Sequence, residues 1–174
     1  MIWVLISIIV GSVALDQLTK WLTVVYLEHG ETVPLWKGVF HFTHAQNTGA
    51  AWGILKDDRW LFMIFSTMAI IALSVYLFGF CKQSKWMKIA ISMIIGGGIG
   101  NMIDRVLLGH VTDFLDFRLI DFPIFNVADC FITIGSFTVI GFLIRDTILE
   151  IKQERLAKRA GQSSDGSSEN GNED

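Results

Sequence analysis

Four long apolar stretches constrain the fold of this chain more than any other feature. They cover approximately residues 2–27, 60–80, 88–108 and 126–149. Each is long enough to cross the hydrocarbon core of a bilayer, which requires about 20 mostly apolar residues in a helix. Because 52% of the 174 residues are hydrophobic and only 18% are charged, the composition also favours a membrane protein. We therefore predict an all-α membrane protein, a bundle of four transmembrane helices, with a single domain over 1–161.

Three segments outside the cores of these stretches lead to further predictions. The first apolar stretch lacks the basic start and the small-x-small cleavage site of a signal peptide, so we expect a retained helix. Residues 38–44, GVFHFTH, alternate between phenylalanine and other side chains, which favours a short strand in a small sheet outside the membrane. Residues 162–174 contain no apolar side chain and are predicted to form a disordered polar tail.

Lysine and arginine residues are concentrated at one end of the predicted spans. They lie between the second and third spans and after the fourth, at Lys82, Lys85, Lys88, Lys152, Arg155, Lys158 and Arg159. Loops rich in lysine and arginine face the cytoplasm in membrane proteins. We therefore expect both termini in the cytoplasm, with the Leu27–Arg59 and Arg105–Phe125 loops on the outer side.

Ionisable residues within the apolar stretches mark candidate functional positions, because such groups are costly in a membrane. Asp16 and Lys20 are four residues apart on one helix face and can form an ion pair. This pair either fixes the helix register or supports a site next to it. Asn101, Asp104 and Arg105 share a face of the third span. Arg105 either has a structural partner or holds a substrate carbonyl or a lipid headgroup.

The segment VTDFLDFRLIDFPIFNVADC sets four aspartates among apolar residues. Asp116 and Asp121 are expected to be solvated loop residues or helix caps. Asp113 follows the third span and Asp129 lies in the first turn of the fourth, so both belong to one membrane level and can converge. Two carboxyl groups about 3 Å apart share one proton near neutral pH. Such a pair can activate water and protonate a peptide carbonyl, as in an aspartic peptidase, although solvated positions remain an alternative.

Other sequence features bear on other possible functions. The glycine run at 96–98 does not fit a phosphate-binding loop and is typical of close helix packing. No basic patch indicates a nucleic-acid partner. Alternation along a strand would place His41 and His44 on opposite faces, so a metal site there is not expected. A small proton- or ion-translocating membrane protein and a non-enzymatic assembly subunit stay as alternatives to a peptidase.

Five motifs in order resemble those of the bacterial lipoprotein signal peptidase family, signal peptidase II. They are DQLTK (Asp16–Lys20), NTGAAWG (Asn47–Gly53), GGGIGNMIDR (Gly96–Arg105), GHVTDFLDF (Gly109–Phe117) and FNVADC (Phe125–Cys130). The resemblance implies an integral-membrane aspartic endopeptidase with four transmembrane helices, an outer β-cradle and a short outer helix. Such an enzyme removes the signal peptide from diacylglyceryl-modified prolipoproteins, cutting just before the lipidated cysteine.

The same resemblance implies a role for each matching residue. The catalytic residues would be Asp113 and Asp129. The residues that bind substrate or support the site would be Asn47, Gly49, Asn101, Asp104, Arg105, Asn126, Asp16 and Lys20. The family uses no metal or nucleotide cofactor, acts among membrane lipids and is blocked by globomycin-type peptides. The resemblance also implies an active site near the outer face of the bacterial cytoplasmic membrane.

Overall fold

The computed structural model describes the backbone of residues 1–49 and 59–168, and the side chains of these residues except Arg59, Phe62 and 157–168. Its helices are α1 (Ile2–Tyr26), α2 (Arg59–Val75), α3 (Lys85–Leu107) and α4 (Val127–Ser168). A π-helical turn, Tyr76–Phe80, continues α2. Within the described ranges, four helices are long and apolar enough to cross a membrane. The predicted four-span membrane fold is therefore confirmed.

The first helix carries its polar residues on the face that packs against the protein. Ser12, Asp16 and Lys20 recur every four residues and are buried, whereas Trp3 and Val10 on other faces are 76% and 60% exposed. This pattern is the reverse of a helix in a soluble protein, because the surroundings of a spanning helix are apolar. The arrangement directs the ionisable groups of α1 towards α3.

Glycines of α3 allow α1 and the start of α4 to approach its backbone. A Cβ atom at Gly97 would lie 2.5 Å from the carbonyl oxygen of Ala128, and one at Gly100 would lie 2.5 Å from Asp16 Oδ2. A methyl group at either position would displace the Ala128 backbone or the Asp16 carboxylate, so these positions favour glycine. The packing interpretation of the glycine run is confirmed, since small residues let spanning helices come close together.

A three-stranded antiparallel sheet lies outside the spanning helices. It has the order β1 (Thr32–Trp36), β2 (Phe40–Asn47) and β3 (Val111–Phe117), and a 3₁₀ turn follows at Arg118–Ile120. Gly109, with φ of 79°, turns the chain from α3 into β3 in a conformation that favours glycine. The predicted small sheet is confirmed, and its third strand places Asp113 opposite Ala45.

The expectation of a solvated loop position is wrong for Asp116. This residue lies in β3 and is only 6% exposed. It accepts hydrogen bonds from Thr43 Oγ1 at 2.6 Å and from Arg118 Nε at 2.9 Å. Although burial acts in the opposite direction, these hydrogen bonds and the charge of Arg118 lower the pKa of Asp116. Asp121, in contrast, is exposed as expected and adopts a left-handed conformation.

Strand alternation was also the wrong argument for His41 and His44. The register of β2 against β3 shifts between Phe42 and Ala45, so an extra residue interrupts the alternation. Both histidines are consequently buried, at 6% and 5% exposure. No group of three or more potential metal ligands occurs among the residues that the structure describes.

The fourth helix is longer than the apolar stretch that predicts it. It continues to Ser168, so residues 162–168 are helical where the sequence predicts a disordered tail, and 169–174 lie outside the described residues. Two compact units divide the chain, Met1–Phe137 and the part from Thr138 onward. All residues of the site described below belong to the first unit.

Candidate active site

The two candidate carboxylates come from the sheet and from the first turn of α4. Asp113 is in β3 and is 3% exposed. Asp129 is held by a reciprocal cap, in which Asp129 N donates to Asn126 Oδ1 at 3.0 Å and Asn126 N donates to Asp129 Oδ2 at 3.2 Å. This is a capping box, and the Asn-x-x-Asp spacing in NVAD is the sequence signal that would have revealed it.

Three asparagine amides donate to the two carboxylates. Asn126 Nδ2 lies 2.6 Å from Asp113 Oδ1, and Asn47 Nδ2 lies 3.0 Å from Asp113 Oδ2. Asn101 Nδ2 lies 2.8 Å from Asp129 Oδ1. Together with the backbone N–H of Asn126, these groups give every oxygen of both carboxylates an N–H donor. Asn126 also donates to Asn101 Oδ1 at 3.0 Å, and this bond connects the two halves of the site.

The orientation of each amide is fixed by a group that can only donate. Lys20 Nζ donates to Asn101 Oδ1 at 2.9 Å, and Gly49 N donates to Asn47 Oδ1 at 3.0 Å. The backbone N–H of Asp129 does the same for Asn126. Since the amide oxygen must face such a donor, the amide N–H groups must face the carboxylates. The predicted role of Gly49 as a supporting residue thus corresponds to its backbone N–H.

A buried ionic cluster lies directly behind this layer. Lys20 is 4% exposed and contacts Asp16 Oδ2 at 2.9 Å and Asp104 Oδ2 at 3.1 Å. The remaining oxygen of Asp16 accepts from Ala128 N at 2.9 Å, and Asp104 Oδ2 also accepts from Thr112 N at 3.0 Å. The cluster therefore joins α1, α3, β3 and α4. The predicted pairing of Asp16 with Lys20 is confirmed, next to Asn101 and one contact away from Asp129.

Sequence reasoning did not single out Gln17, which is part of this cluster. Its Nε2 lies 2.9 Å from Asp104 Oδ1, 3.2 Å from Asp16 Oδ2 and 3.2 Å from the Gly100 carbonyl oxygen. A polar amide inside a spanning helix is itself an unusual feature. That signal, which had drawn attention to Asp16 and Lys20, applied equally to Gln17.

Arg105 lies at the end of α3, close to the two carboxylates. Its Nη1 donates to the Asn101 carbonyl oxygen at 3.3 Å, and its charge interacts with those of Asp129 and Asp113. This position is compatible with both roles predicted for Arg105, a structural ion pair and the binding of a substrate carbonyl or a lipid headgroup. All ten candidate site residues lie in one contiguous part of the molecule.

The environment of Asp113 favours its protonated form. Burial and, second, the negative charge of Asp129 raise the pKa of Asp113 from its ordinary value of 3.8 to about 6, against the hydrogen bonds from Asn47 and Asn126. Two neighbouring carboxyl groups do not ionise independently. The pair can therefore hold one proton near pH 6, with one carboxylate as a base and one carboxylic acid as a donor.

This raised pKa predicts a pH-dependent stability. Below pH 3.8 Asp113 is protonated in the folded and unfolded states, and its contribution to stability is fully present. As the pH rises to about 6, only the unfolded state releases the proton, so the free energy of unfolding falls. A pKa of about 6 against 3.8 corresponds to a loss of roughly 3 kcal/mol. Thermal unfolding in detergent between pH 4 and pH 8 should show this loss.

The variant Asp113→Asn is the matched control for this titration, because it keeps the shape of the side chain without an ionisable group. The difference in stability between the wild type and this variant should change across the pH window and level off above about pH 7. A constant difference from pH 4 to pH 8 would mean that the pKa of Asp113 is not raised by folding.

The fold and the site together define a class of protein. It is a multi-pass helical membrane protein with a pair of neighbouring carboxylates, the buried Asp113 and the partly buried Asp129, placed where its spanning helices meet a small antiparallel sheet. The membrane character rests on helix length and composition, and the carboxylate pair rests on side-chain contacts.

Comparison with known proteins gives the family. Residues 8–145 match the family described as signal peptidase (SPase) II. A lipoprotein signal peptidase of Brevibacillus brevis is 47% identical over 143 residues, which cover 82% of this chain and 93% of that protein. One of Bacillus subtilis is 38% identical over 137 residues, which cover 78% and 88%. A solved structure of a bacterial membrane enzyme has a TM-score of 0.80 and 38% identity to this chain, and the match covers 84% of this chain and 91% of that one.

The chain belongs to the signal peptidase II family and is a multi-pass membrane peptidase. The resemblance inferred from the five motifs is confirmed. The alternative of a small proton- or ion-translocating protein is not favoured, since the matching proteins span most of the chain and carry a peptidase name.

Proposed function

We propose that this protein is an aspartic endopeptidase that removes the signal peptide from diacylglyceryl-modified prolipoproteins, cutting just before the lipidated cysteine. Asp113 and Asp129 are its catalytic residues. The observation that carries the proposal is the convergence of both carboxylates on Asn126, whose Nδ2 lies 2.6 Å from Asp113 and whose backbone and side chain bind Asp129. The name lipoprotein signal peptidase, carried by the relatives, supports the substrate class.

The reaction needs one proton on the pair and returns it at the end. The ionised carboxyl accepts a proton from a water molecule while the water oxygen bonds to the scissile carbonyl carbon. The protonated carboxyl donates its proton to the carbonyl oxygen, which gives a neutral diol. The diol then returns a proton to one carboxylate, the C–N bond breaks, and the leaving nitrogen takes a proton from the other carboxyl. One proton remains on the pair, ready for the next cycle.

The other residues of the network have two proposed roles. Those that border the carboxylates shape the pocket and position the substrate backbone, and they are Asn47, Gly49, Asn101, Arg105 and Asn126. Those behind them hold this layer in place, and they are Asp16, Lys20 and Asp104. The division follows from the contacts. The three asparagines donate to the carboxylates, Gly49 N holds the amide of Asn47, and the charge of Arg105 interacts with both carboxylates. In the second group Lys20 contacts Asn101 and joins Asp16 and Asp104 to it.

The location of the substrate explains why such a site belongs to a membrane protein. A lipid-modified precursor stays in the bilayer, and its cleavage site is close to the membrane surface. We propose that both termini lie in the cytoplasm and that the site faces the outer surface of the cytoplasmic membrane, among lipids. Globomycin-type peptides are proposed inhibitors of the pair. Residues 1–161 are proposed as the peptidase domain, with 162–174 as a dispensable tail.

A comparison of two substrates tests the proposed specificity. One prolipoprotein carries the diacylglyceryl group on its cysteine, and the other has the same sequence without the lipid. In nanodiscs, we expect the lipidated precursor to be cleaved with kcat/KM about tenfold higher or more, because binding energy from the lipid contributes to catalysis. Mass spectrometry should place the new N-terminus at the lipidated cysteine. Equal cleavage of both precursors, or cleavage at another bond, would contradict the proposal.

A further inference from the structure

Five large apolar side chains are exposed together at one end of the sheet. We call this surface the apolar sheet end, and it consists of Leu35, Trp36, Leu119, Ile120 and Phe122, which are 65%, 69%, 69%, 68% and 46% exposed. None of them lies in a spanning helix. Exposed large apolar side chains concentrated in two neighbouring turns outside the membrane-spanning helices indicate an interaction site.

Backbone hydrogen bonds hold the apolar sheet end together. The turn between β1 and β2 is closed by Val39 N to Trp36 O at 2.9 Å, and the Val39 carbonyl oxygen accepts from Arg118 N at 3.0 Å. Phe122 N donates to Phe117 O at 3.2 Å. These bonds connect the β1–β2 turn with the 3₁₀ turn after β3, so residues from two distant parts of the chain form one surface.

A polar network also holds this end of the sheet together. Arg118 Nη2 donates to Thr32 Oγ1 at 2.8 Å, and its Nε donates to Asp116 Oδ2 at 2.9 Å. The charge of Arg118 is thereby compensated within the sheet. The 3₁₀ turn can thus present Leu119 and Ile120 without an uncompensated arginine beside them.

The sheet lies beside the spanning helix α1, and this position brings the apolar sheet end near lipid. Val33 of β1 lines an apolar groove of about 500 Å³ together with Thr19, Leu22 and Tyr26 of α1. The strand therefore runs next to the last two turns of α1. Phe122 also precedes the start of α4 at Val127 by only five residues, a span of at most about 18 Å in extended chain.

From these observations we infer that the apolar sheet end inserts into the lipid leaflet adjacent to the sheet and fixes the depth of β3 at the membrane surface. Its composition fits that location, because tryptophan and other large apolar residues next to a lysine, here Lys37, are typical of the membrane interface. A second copy of the chain is a poorer partner, since five side chains are far fewer than the roughly 20–30 residues per side of a stable dimer.

Insertion would also affect the active site, and this consequence rests on the proposed function. Asp113 and Phe117 lie in the same strand, and Phe117 is directly followed by the 3₁₀ turn that carries Leu119 and Ile120. Anchoring the far end of β3 in lipid would therefore hold Asp113 at a constant depth. The cleavage site of a lipid-anchored precursor is fixed at one depth in the same way.

Spin labels in lipid nanodiscs test the insertion without reference to activity. A nitroxide would be attached to Ile120→Cys in the full chain with Cys81→Ala and Cys130→Ala, and to Glu28→Cys as the exposed polar control. We expect the label at 120 to be relaxed more strongly by oxygen, which partitions into lipid, than by a water-soluble nickel chelate. The label at 28 should show the reverse order.

Two results would overturn the inference. The first is a label at 120 that the nickel chelate reaches as readily as it reaches the label at 28. The second is spin–spin broadening between labelled copies, which would make the surface a contact between two chains.

A kinetic measurement then separates this inference from the proposed function. The variant Leu119→Ser/Ile120→Ser should raise KM several-fold for a precursor in nanodiscs, with kcat unchanged, whereas an unchanged KM would contradict the depth-setting role.

Discussion

Purified Asp113→Asn and Asp129→Asn should each insert into the membrane and fold, yet fail to cleave a lipidated prolipoprotein. An amide cannot accept a proton from water or donate one from a carboxyl group, so the proton transfer that the pair performs is lost. Replacement of a catalytic acid or base lowers kcat by about 10³-fold or more. The loss should appear in kcat rather than in KM, and a gel-shift cleavage assay in nanodiscs measures both.

Asp121→Asn is the matched control for these substitutions. Asp121 belongs to the same acidic segment but is exposed and lies outside the network, and asparagine tolerates its left-handed backbone conformation. We expect wild-type activity from this variant. Normal cleavage by either Asp113→Asn or Asp129→Asn would remove that residue from the catalytic pair.

Lys20→Met should cause the largest loss of stability among the single substitutions considered. Methionine matches the volume of the lysine stem but leaves the buried carboxylates of Asp16 and Asp104 without their shared cation. Removal of one partner from a buried ionic group costs about 3–5 kcal/mol. The fixed orientation of Asn101 is lost as well, so the activity of any folded fraction should also fall. Thermal unfolding in detergent gives the first effect, and cleavage by the folded fraction gives the second.

Arg145→Met is a suitable comparison because it breaks an exposed pair. Arg145 Nη2 lies 2.9 Å from Asp146 Oδ1, and the two side chains are 59% and 32% exposed. Arg145 lies within the fourth candidate span and pairs with its own neighbour in the chain, so we expect a smaller loss of stability than from Lys20→Met and unchanged activity. If Lys20→Met were as stable and as active as Arg145→Met, the buried cluster would have no part in holding the site.

The spanning helices were predictable because one physical requirement, the thickness of the bilayer, determines their length and composition. A bilayer demands about 20 apolar residues in a row, and that signal needs no knowledge of tertiary structure. The ionisable residues within those helices were informative for the same reason, since Asp16 and Lys20 have few acceptable positions other than facing each other. The glycines of α3 followed too, because close helix packing tolerates few other residues.

The sheet was less predictable, because its details depend on contacts between distant segments. The burial of Asp116 depends on the hydrogen bonds that Thr43 and Arg118 donate to its carboxylate. No local sequence pattern predicts that Arg118 is its partner. The irregular register between Phe42 and Ala45 is a property of two strands together, so the alternation of β2 alone gave the wrong faces for His41 and His44.

For the site, spacing placed Asp113 and Asp129 at one membrane level but left their convergence open. The resemblance to a known family then named both residues. Neither source indicated that donor groups such as Lys20 and the backbone N–H of Gly49 would fix the orientation of the asparagine amides. Such a property exists only when four segments of the chain meet.

Infrared titration of the carboxyl groups tests the shared proton most directly. With isotope-labelled aspartate, the wild type should show one carboxyl group that loses its proton with a midpoint near pH 6, in accord with the pKa of about 6 for Asp113. This band should be absent from Asp113→Asn and should move to lower pH in Asp129→Asn, where the neighbouring negative charge is missing. A band that keeps its midpoint in both variants would contradict the paired-carboxylate account.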